Sequence, residues 1–434
     1  MRRTLSFPTN LSENLELIHR NLQEFQVYTI LNSNVQELSK LDKYSKYEIL
    51  IAVDYVEECI YNADVFADTQ NFIAQKKDWI FGHFSYDLKN EIENLESRNT
   101  DSILFPLIYF YQPRYVIRQQ DSLTFLDYLP EHNTEKEAEL FVKKLYESSE
   151  MMESVQSMDP ISATVDKSSY IQNVRKIKDH IQRGDIYEMN YCTEFFAKNA
   201  KLDVANLYAK LNDLSPMPFS CVYKMKDRFA ICASPERFIA KRENKIISQP
   251  IKGTARRGAT KEEDLQIMDQ LYNDPKERAE NVMIVDLVRN DLSRTAKKGS
   301  VEVEELFGIS SFRHLHQMIS TIVSIKKDDV DSINVIKAAF PMGSMTGAPK
   351  VRAMELIEEF EVSRRGLYSG AIGYFSPDGD FDFNVVIRSI LYNASQKTVS
   401  CSVGSAITSN SDPEKEFEEC MLKAESLKTV LSVM

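Results

Sequence analysis

Two stretches of the chain repeat one design. Asp274-Pro275-Lys276-Glu277-Arg278-Ala279-Glu280 and Asp412-Pro413-Glu414-Lys415-Glu416-Phe417-Glu418-Glu419 both open on Asp and Pro. Asp serves as a helix N-cap, and Pro suits the first helical position. Glutamates three residues apart, 277 with 280 and 416 with 419, then share a helix face. The plain alternative is that acidic first turns complement the helix dipole. Against it, Glu280 leads directly into the apolar stretch Val282–Val288. A carboxylate at the mouth of a buried helix needs a cation. Two facing carboxylate pairs make a hard oxygen site suited to Mg²⁺, which keeps waters and takes remaining ligands from an anionic substrate.

A second group centres on Lys252, in Ser248-Gln-Pro-Ile-Lys252-Gly-Thr254-Ala-Arg256-Arg257-Gly258. Gly253 permits close backbone approach to a ligand. Arg256 and Arg257, together with partial desolvation, are expected to lower the Lys252 pKa and make it an amine nucleophile. A basic surface turn is the other reading. Glu236, in Ser234-Pro-Glu-Arg-Phe238, closes a strand, where a carboxyl of raised pKa serves as a general acid. A solvated turn glutamate is the alternative there. Gly343–Lys350 and Gly404-Ser405-Ala406 place small residues in expected turns, whose backbone amides bind carboxylates. Tyr368 and Arg388, on expected strands, offer a hydroxyl and a guanidinium to a second carboxylate. Ordinary turn chemistry also accounts for this last set. Together the groups describe a pocket for a small dianion with a metal, an amine and an acid.

The elements that must position them are mixed. Tyr47–Val53 and Ile103–Tyr111 are β-rich. Glu135–Ser148 reads as a helix with Ala138, Phe141, Val142 and Leu145 on one face and a Thr134/Glu137 capping box. Residues 147–163 read as a connection. Tyr170–Arg183 is an expected helix ending at Gly184. Strands are expected at Tyr187–Phe196, Phe219–Tyr223, Phe229–Ala233, Phe383–Tyr392 and Thr398–Val403. Helices are expected at about 262–273, 275–289, 332–340, 349–361 and 413–431. Short turns such as Pro377-Asp378-Gly379 make neighbouring strands antiparallel, so the class is α+β and not a βαβ repeat.

Composition narrows the function. In 434 residues the formal charge is −12, which argues against a general nucleic-acid binder. The six cysteines form no Cys-x-x-Cys pair, and no apolar signal core follows Met1, so reduced thiols and a cytoplasmic location are expected. No apolar run is long enough for a membrane span. Gly366-x3-Gly370-x2-Gly373 lacks dinucleotide spacing, and Gly343–Lys350 lacks phosphate-loop order. No His-Glu-x-x-His is present.

Residues from about 165 to 430 resemble the chorismate-utilising enzymes. The matching strings are Gly184-Asp-Ile-Tyr-Glu-Met-Asn190, Ser234-Pro-Glu-Arg-Phe238, Pro250-Ile-Lys-Gly-Thr254 and Glu280-Asn-Val-Met-Ile-Val-Asp-Leu-Val-Arg-Asn-Asp291. Gly343-Ser-Met-Thr-Gly-Ala-Pro-Lys350, Arg364-Arg-Gly-Leu-Tyr-Ser-Gly370 and Asp412–Lys423 complete the set. Ile30-Leu-Asn-Ser33 and Phe81-Gly-His-Phe-Ser-Tyr-Asp87 extend it weakly toward the N-terminus. The resemblance implies an α+β sandwich of two antiparallel β-sheets with helices outside. It divides the chain into an N-terminal part (1–150) and a chorismate-binding part (165–431) intertwined in one unit. Members that form 4-amino-4-deoxychorismate carry Lys at position 252, and members that form anthranilate carry Ala. The resemblance therefore implies the first product, with anthranilate formation as the alternative. Lys252 would attack the ring, Glu236 would protonate the leaving hydroxyl, and a separate glutamine amidotransferase subunit would supply ammonia. Mg²⁺ would be held by Glu277, Glu280, Glu416 and Glu419. Chorismate would contact Gly253, Thr254, Tyr368, Arg388, Gly404 and Lys423. The chain departs from the family pattern at four places. Gln317 stands where many members have His, with His316 beside it. Ser405-Ala406 follows Gly404 where a Gly-Ala-Gly turn is usual, and Glu188 replaces Gln. Ile30-Leu-Asn-Ser33 departs from the string of tryptophan-regulated members.

Overall fold

Alternation along each strand decides which core a side chain enters. In Phe219–Met225, Cys221, Tyr223 and Met225 join one cluster of buried residues and Val222 joins the other. In Glu188–Ala197, Met189, Tyr191 and Phe195 face one way and Cys192 faces the other. The computed structural model describes residues 1–35, 42–59, 64–120, 123–147 and 156–432.

The strands form one continuous hydrogen-bonded ladder that the long strand Ile108–Gln120 divides into two sheets. In the first, neighbours run in the order Arg3–Phe7, Leu123–Tyr128, Ile108–Gln120, Ile49–Glu58, Val27–Asn32, Phe219–Met225, Arg228–Ser234, Ser389–Asn393, Thr398–Ile407 and Glu188–Ala197. The second continues from the start of Ile108–Gln120 through Ile80–Phe84, Ala371–Phe375, Phe381–Asn384, Arg237–Arg242, Lys245–Gln249 and Leu315–Ile325. Ile251–Arg256 and Glu302–Ser311 both pair with Leu315–Ile325. All these pairings are antiparallel, and the long strand Ile108–Gln120 belongs to both sheets. Strands from before residue 150 and after residue 165 lie side by side in each sheet, Val27–Asn32 against Phe219–Met225 and Ile80–Phe84 against Ala371–Phe375.

One face of the first sheet packs on the helices Leu15–Leu22, Glu135–Leu145, Lys167–Arg183, Val204–Leu214, Lys350–Phe360 and Pro413–Ser432. Its other face joins the second sheet and the helices Val65–Lys76, Pro275–Ser293 and Ser332–Ala339 in a second cluster. The expected α+β arrangement of antiparallel sheets with helices outside is the one observed. All six cysteines are free and buried. No helix among the described residues is long and apolar enough to cross a membrane.

Helix ends follow local chemistry closely. Thr134 and Glu137 make the expected capping box, and Gly184 takes the left-handed conformation after Lys167–Arg183. Three readings needed correction. The β-rich run from Ile103 becomes strand only at Ile108, after Leu104 at φ +67° and Pro106. The expected strand Phe383–Tyr392 is two strands, Phe381–Asn384 and Ser389–Asn393, with Arg388 at φ +49° between them. Gly404-Ser405-Ala406 lies inside the strand Thr398–Ile407 and is no turn. Part of the connection read at 147–163 lies outside the described residues.

Candidate active site

The site forms where the strand Glu188–Ala197, the strand Ile251–Arg256 and the first turns of two helices approach one another. Lys252 lies on Ile251–Arg256 and is 9% exposed, so the surface-turn alternative fails. Its Nζ donates to Glu188 Oε1 at 2.5 Å. Burial pulls the ammonium's pKa down, but the carboxylates of Glu188, Glu280 and Glu236 outweigh it, and the pKa lies above its ordinary value. This corrects the expected depression. Arg256 is exposed, and Arg257 is committed to Asp264 at 2.7 Å, so the nearby cations in sequence are not the charges Lys252 meets.

Glu236 sits between the strands Arg228–Ser234 and Arg237–Arg242 and is 5% exposed. Ser344 Oγ donates to its Oε1 at 2.7 Å. Burial pushes its carboxyl up to about 7, against the pull of Ser344 and Lys252. A carboxyl in that range holds a proton near neutrality, as a general acid requires.

Both acidic helices start as their sequences dictate. Asp274 accepts from the amides of Lys276 and Glu277, and Asp412 from those of Glu414 and Lys415. Glu280 and Glu416 are buried, Glu277 is half-buried and Glu419 is exposed. The Lys276 ammonium feels all four carboxylates, and the net effect raises its pKa although burial opposes it. Burial likewise pushes Glu280 up to about 7. Its Oε1 is buried without a hydrogen-bond partner, 3.7 Å from the Lys276 ammonium. Among the described residues no three acidic, His or Cys side chains converge as a closed cage. Mg²⁺ does not need one, since it is held by one or two carboxylates plus water and substrate. The oxygen donors and the orphaned Glu280 oxygen fit such an ion.

The other expected contacts vary in what the fold does with them. Gly253 has φ +94°, and a Cβ there would stand 3.1 Å from Glu277 Oε2, so the glycine makes room for a carboxylate. Thr254 is exposed and pairs with Gln317. Tyr368 precedes the strand Ala371–Phe375 and is not in it; its hydroxyl is 3.9 Å from Cys192 Sγ. Arg388 also lies between strands. Burial lowers its pKa to about 10 against the attraction of Glu236. Gly404 is closed on one side, since a Cβ would meet Asn190 Oδ1 and Cys192 Sγ at 2.5 Å. Lys423 donates to Gly404 O at 2.9 Å and pairs with Glu419 at 2.7 Å. Lys350 binds Asp291 and the Ala339 carbonyl, so its ammonium braces the Gly343–Lys350 loop.

Two departures resolve differently. His316 is buried against Ser311 and Asp264, at 2.8 and 2.9 Å, and does not share the direction of Gln317. Gln317 is 2% exposed with its Oε1 unpartnered. Ser405 points toward Tyr170 at 3.1 Å, away from the face of Gly404.

Sequence reasoning noted Glu188 only as a departure, yet it is the direct partner of Lys252. It also missed Ser344, Lys276 and Arg365. Arg365 is buried and donates to Glu361, to the Met345 carbonyl and to the Asn190 carbonyl. One signal was available: Glu188 shares strand parity with Asn190 and Cys192, and a carboxylate in a buried strand demands a partner.

The family described as chorismate binding enzyme matches residues 20–429. A probable chloroplastic aminodeoxychorismate synthase of Oryza sativa subsp. japonica is 41% identical over 263 residues, covering 60% of this chain and 29% of that protein. The chain thus spans under a third of that relative's length. Anthranilate synthase component 1 of Aquifex aeolicus is 34% identical over 370 residues, 82% of this chain and 74% of that protein. The crystal structure of anthranilate synthase component I from Streptococcus pneumoniae superposes with a TM-score of 0.78 at 23% identity, covering 89% of this chain and 93% of that one.

Proposed function

We infer that this chain, which belongs to the chorismate binding enzyme family, converts chorismate and ammonia to 4-amino-4-deoxychorismate. The observation that supports this most is Lys252, buried on a strand and ion-paired to Glu188 at 2.5 Å with Glu236 and Glu280 around it. A lysine in such a place has a nucleophile's position and a proton acceptor already in contact.

In this reading Lys252 passes a proton to Glu188, and its free amine attacks ring position 2. Both ring double bonds shift as the 4-hydroxyl leaves, taking a proton from Glu236 and departing as water. Hydroxide is a poor leaving group, so the proton lowers the barrier. Ammonia then attacks position 4 and the lysine amine is expelled. Ser344 holds the Glu236 carboxyl in place through Oε1. Arg388, attracted by Glu236, provides a guanidinium for a substrate carboxylate. Tyr368, Gly253, Thr254, Gly404 and Lys423 complete the substrate's surroundings. Mg²⁺, held by Glu277, Glu280, Glu416 and Glu419, would neutralise carboxylate charge on the substrate. Ammonia would come from a glutamine amidotransferase subunit, and the reaction would run in the cytoplasm on the route to p-aminobenzoate and folate.

Anthranilate formation is the second reading, favoured by the 34% identity to the Aquifex aeolicus protein over 82% of this chain. One experiment separates them. The pure chain is incubated with chorismate, Mg²⁺ and ammonium, and the product is identified by mass spectrometry. Aminodeoxychorismate is expected; anthranilate with pyruvate as the main product overturns the proposal.

A further inference from the structure

The strand Glu188–Ala197 is paired unevenly on its two edges. One edge pairs with Thr398–Ile407 along almost its whole length. On the other, Gly347-Ala348 pairs with Met189 and Glu188, and Ser162-Ala163 pairs with Phe196 and Phe195. Between these short partners the strand presents the Asn190 carbonyl and the Cys192 amide, both on buried residues, and buried backbone groups need partners. Side chains supply them. Arg365 Nη2 donates to the Asn190 carbonyl at 2.9 Å, and Glu361 Oε1 accepts from the Cys192 amide at 2.9 Å. Arg365 and Glu361 are themselves joined by two bonds, at 2.6 and 2.9 Å. We propose that the Glu361–Arg365 ion pair is a positioning device for the reaction: it takes the place of a missing strand and fixes the strand that carries Glu188 against the turn that carries Ser344. The proposal rests on the reading above in taking Lys252–Glu188 and Glu236–Ser344 as the reacting pairs.

Three observations support it. First, one guanidinium ties three segments together. Besides Asn190 it reaches the Met345 carbonyl at 2.6 Å and Ser369 Oγ at 3.4 Å, both from Nη1. Each of these bonds lands within two residues of a group placed in the site: Glu188, Ser344 and Tyr368. Asn190 Nδ2 adds a direct tie to the Ser344 carbonyl at 3.0 Å. Second, the guanidinium is itself held. The Tyr86 ring lies against it, 4.6 Å from ring centroid to Cζ, and the Tyr86 amide donates to the Gly366 carbonyl at 2.8 Å. Third, the chemistry calls for directed bonds. A buried ion pair gains little stability over apolar packing of the same volume, so what it adds is geometry. Arginine's rigid fork reaches several acceptors at once, which the single ammonium of lysine does not. The neighbouring buried pair Lys89–Glu358, at 2.9 Å, is a contrast: its ammonium donates to the side chains of Asn90 and Ser97, outside the elements that carry the site.

Two variants test this. Arg365→Lys keeps the charge and loses the fork. Glu361→Gln keeps an acceptor for the Cys192 amide and loses the charge opposite the guanidinium. In each, kcat per folded molecule, with the folded fraction taken from circular dichroism, should fall about tenfold or more. The second readout needs no turnover. It is the pH midpoint of Glu236 protonation, followed by the infrared band of its carboxylic acid and identified by the absence of that band in Glu236→Gln. The Ser344 hydroxyl pulls this midpoint down, so a displaced Ser344 lets it rise. The midpoint should move up by about 0.5 in pH or more in both variants, as it should in Ser344→Ala. Wild-type kcat in the folded variants, or a midpoint that stays or falls, overturns the proposal. Failure of both variants to fold also overturns it, since the pair would then be a strut of the fold. A raised midpoint in a protein that aminates nothing would keep the positioning role and sink the functional reading.

Discussion

Two buried lysines, each on one carboxylate, behave in opposite ways. Lys350 donates to Asp291 Oδ2 at 2.6 Å and to the Ala339 carbonyl at 3.1 Å. Burial wins there, and its pKa falls below the ordinary value despite Asp291. Lys252 donates to Glu188 at 2.5 Å, and its pKa rises. Their side chains are equally shielded, each 10% exposed, so depth does not separate them. Lys350 meets Asp291 and, more weakly, Glu93, and it feels Arg294, whereas Lys252 meets Glu188, Glu280 and Glu236. The balance of facing charges against burial sets the direction of each shift. A balanced pair makes a strut between the helices Pro275–Ser293 and Lys350–Phe360. An unbalanced cluster makes a place where protons and cations have somewhere to go.

The strongest way to break this contrast is at Lys252. Lys252→Ala should lower amination by about a thousandfold or more, and Lys252→Arg should not rescue it, because arginine stays protonated and cannot attack. Acid quench of wild type with chorismate but no ammonia should trap an adduct on the Lys252 peptide, detected by mass spectrometry. Near wild-type turnover of the arginine variant would make the lysine a charge clamp.

Glu236→Gln should cost about a hundredfold in kcat by removing the acid. The wild-type rate should fall as pH rises through about 7, where Glu236 loses its proton, and the variant should lose that limb. The stability sign follows from the same shift. The folded carboxyl binds its proton more tightly than the unfolded one, whose ordinary value is 4.5. That contribution is complete below the unfolded value and lost as pH rises toward about 7. Denaturant melts from pH 4 to 8 should show wild type losing stability relative to Glu236→Gln across that window. A rate profile identical in both proteins would remove Glu236 from the acid role.

A smaller effect is expected at the helix acids. Glu280→Gln or Glu419→Gln should lower activity about tenfold at limiting Mg²⁺ with the fold intact by circular dichroism, since a neutral amide binds Mg²⁺ poorly. Wild-type activity for either variant at low Mg²⁺ would return these residues to the helix-dipole role.

The smallest effect on turnover belongs to Lys350. Lys350→Met should cost about 3–5 kcal/mol of stability by leaving Asp291 buried and unpaired. Adding Asp291→Asn should recover part of that loss, while turnover per folded molecule changes less than at the other sites. Urea melts paired with active-site titration check this. A stable Lys350→Met would end the strut interpretation.

Much of the scaffold was readable residue by residue. The Asp274 and Asp412 caps, the Thr134/Glu137 box and the Gly184 stop are set within four residues of one another, so their chemistry needs no tertiary information. The strand pair around Pro377-Asp378-Gly379 was equally local. The strands Glu302–Ser311 and Leu315–Ile325 escaped notice for different reasons: Leu315–Ile325 is buried on both faces, which hides polar–apolar alternation, and Glu302–Ser311 pairs with it through two register shifts that break the alternation. The Phe383–Tyr392 run failed for the opposite reason: a continuous β-rich stretch gave no hint of the left-handed Arg388 that breaks it.

At the site, the sequence by itself determined which chemistry is present: four glutamates opening two helices, a lysine beside a glycine, and a glutamate at a strand end. It could not determine the charge on the lysine. Read along the chain, the charges nearest Lys252 are Arg256 and Arg257; in space they are Glu188, Glu280 and Glu236. Glu188 is 64 residues away in sequence. Caps and turns are fixed by interactions within a few residues, so the sequence states them. A buried group's protonation depends on Coulomb terms that fall off with distance in space, and only the folding of two sheets together sets those distances.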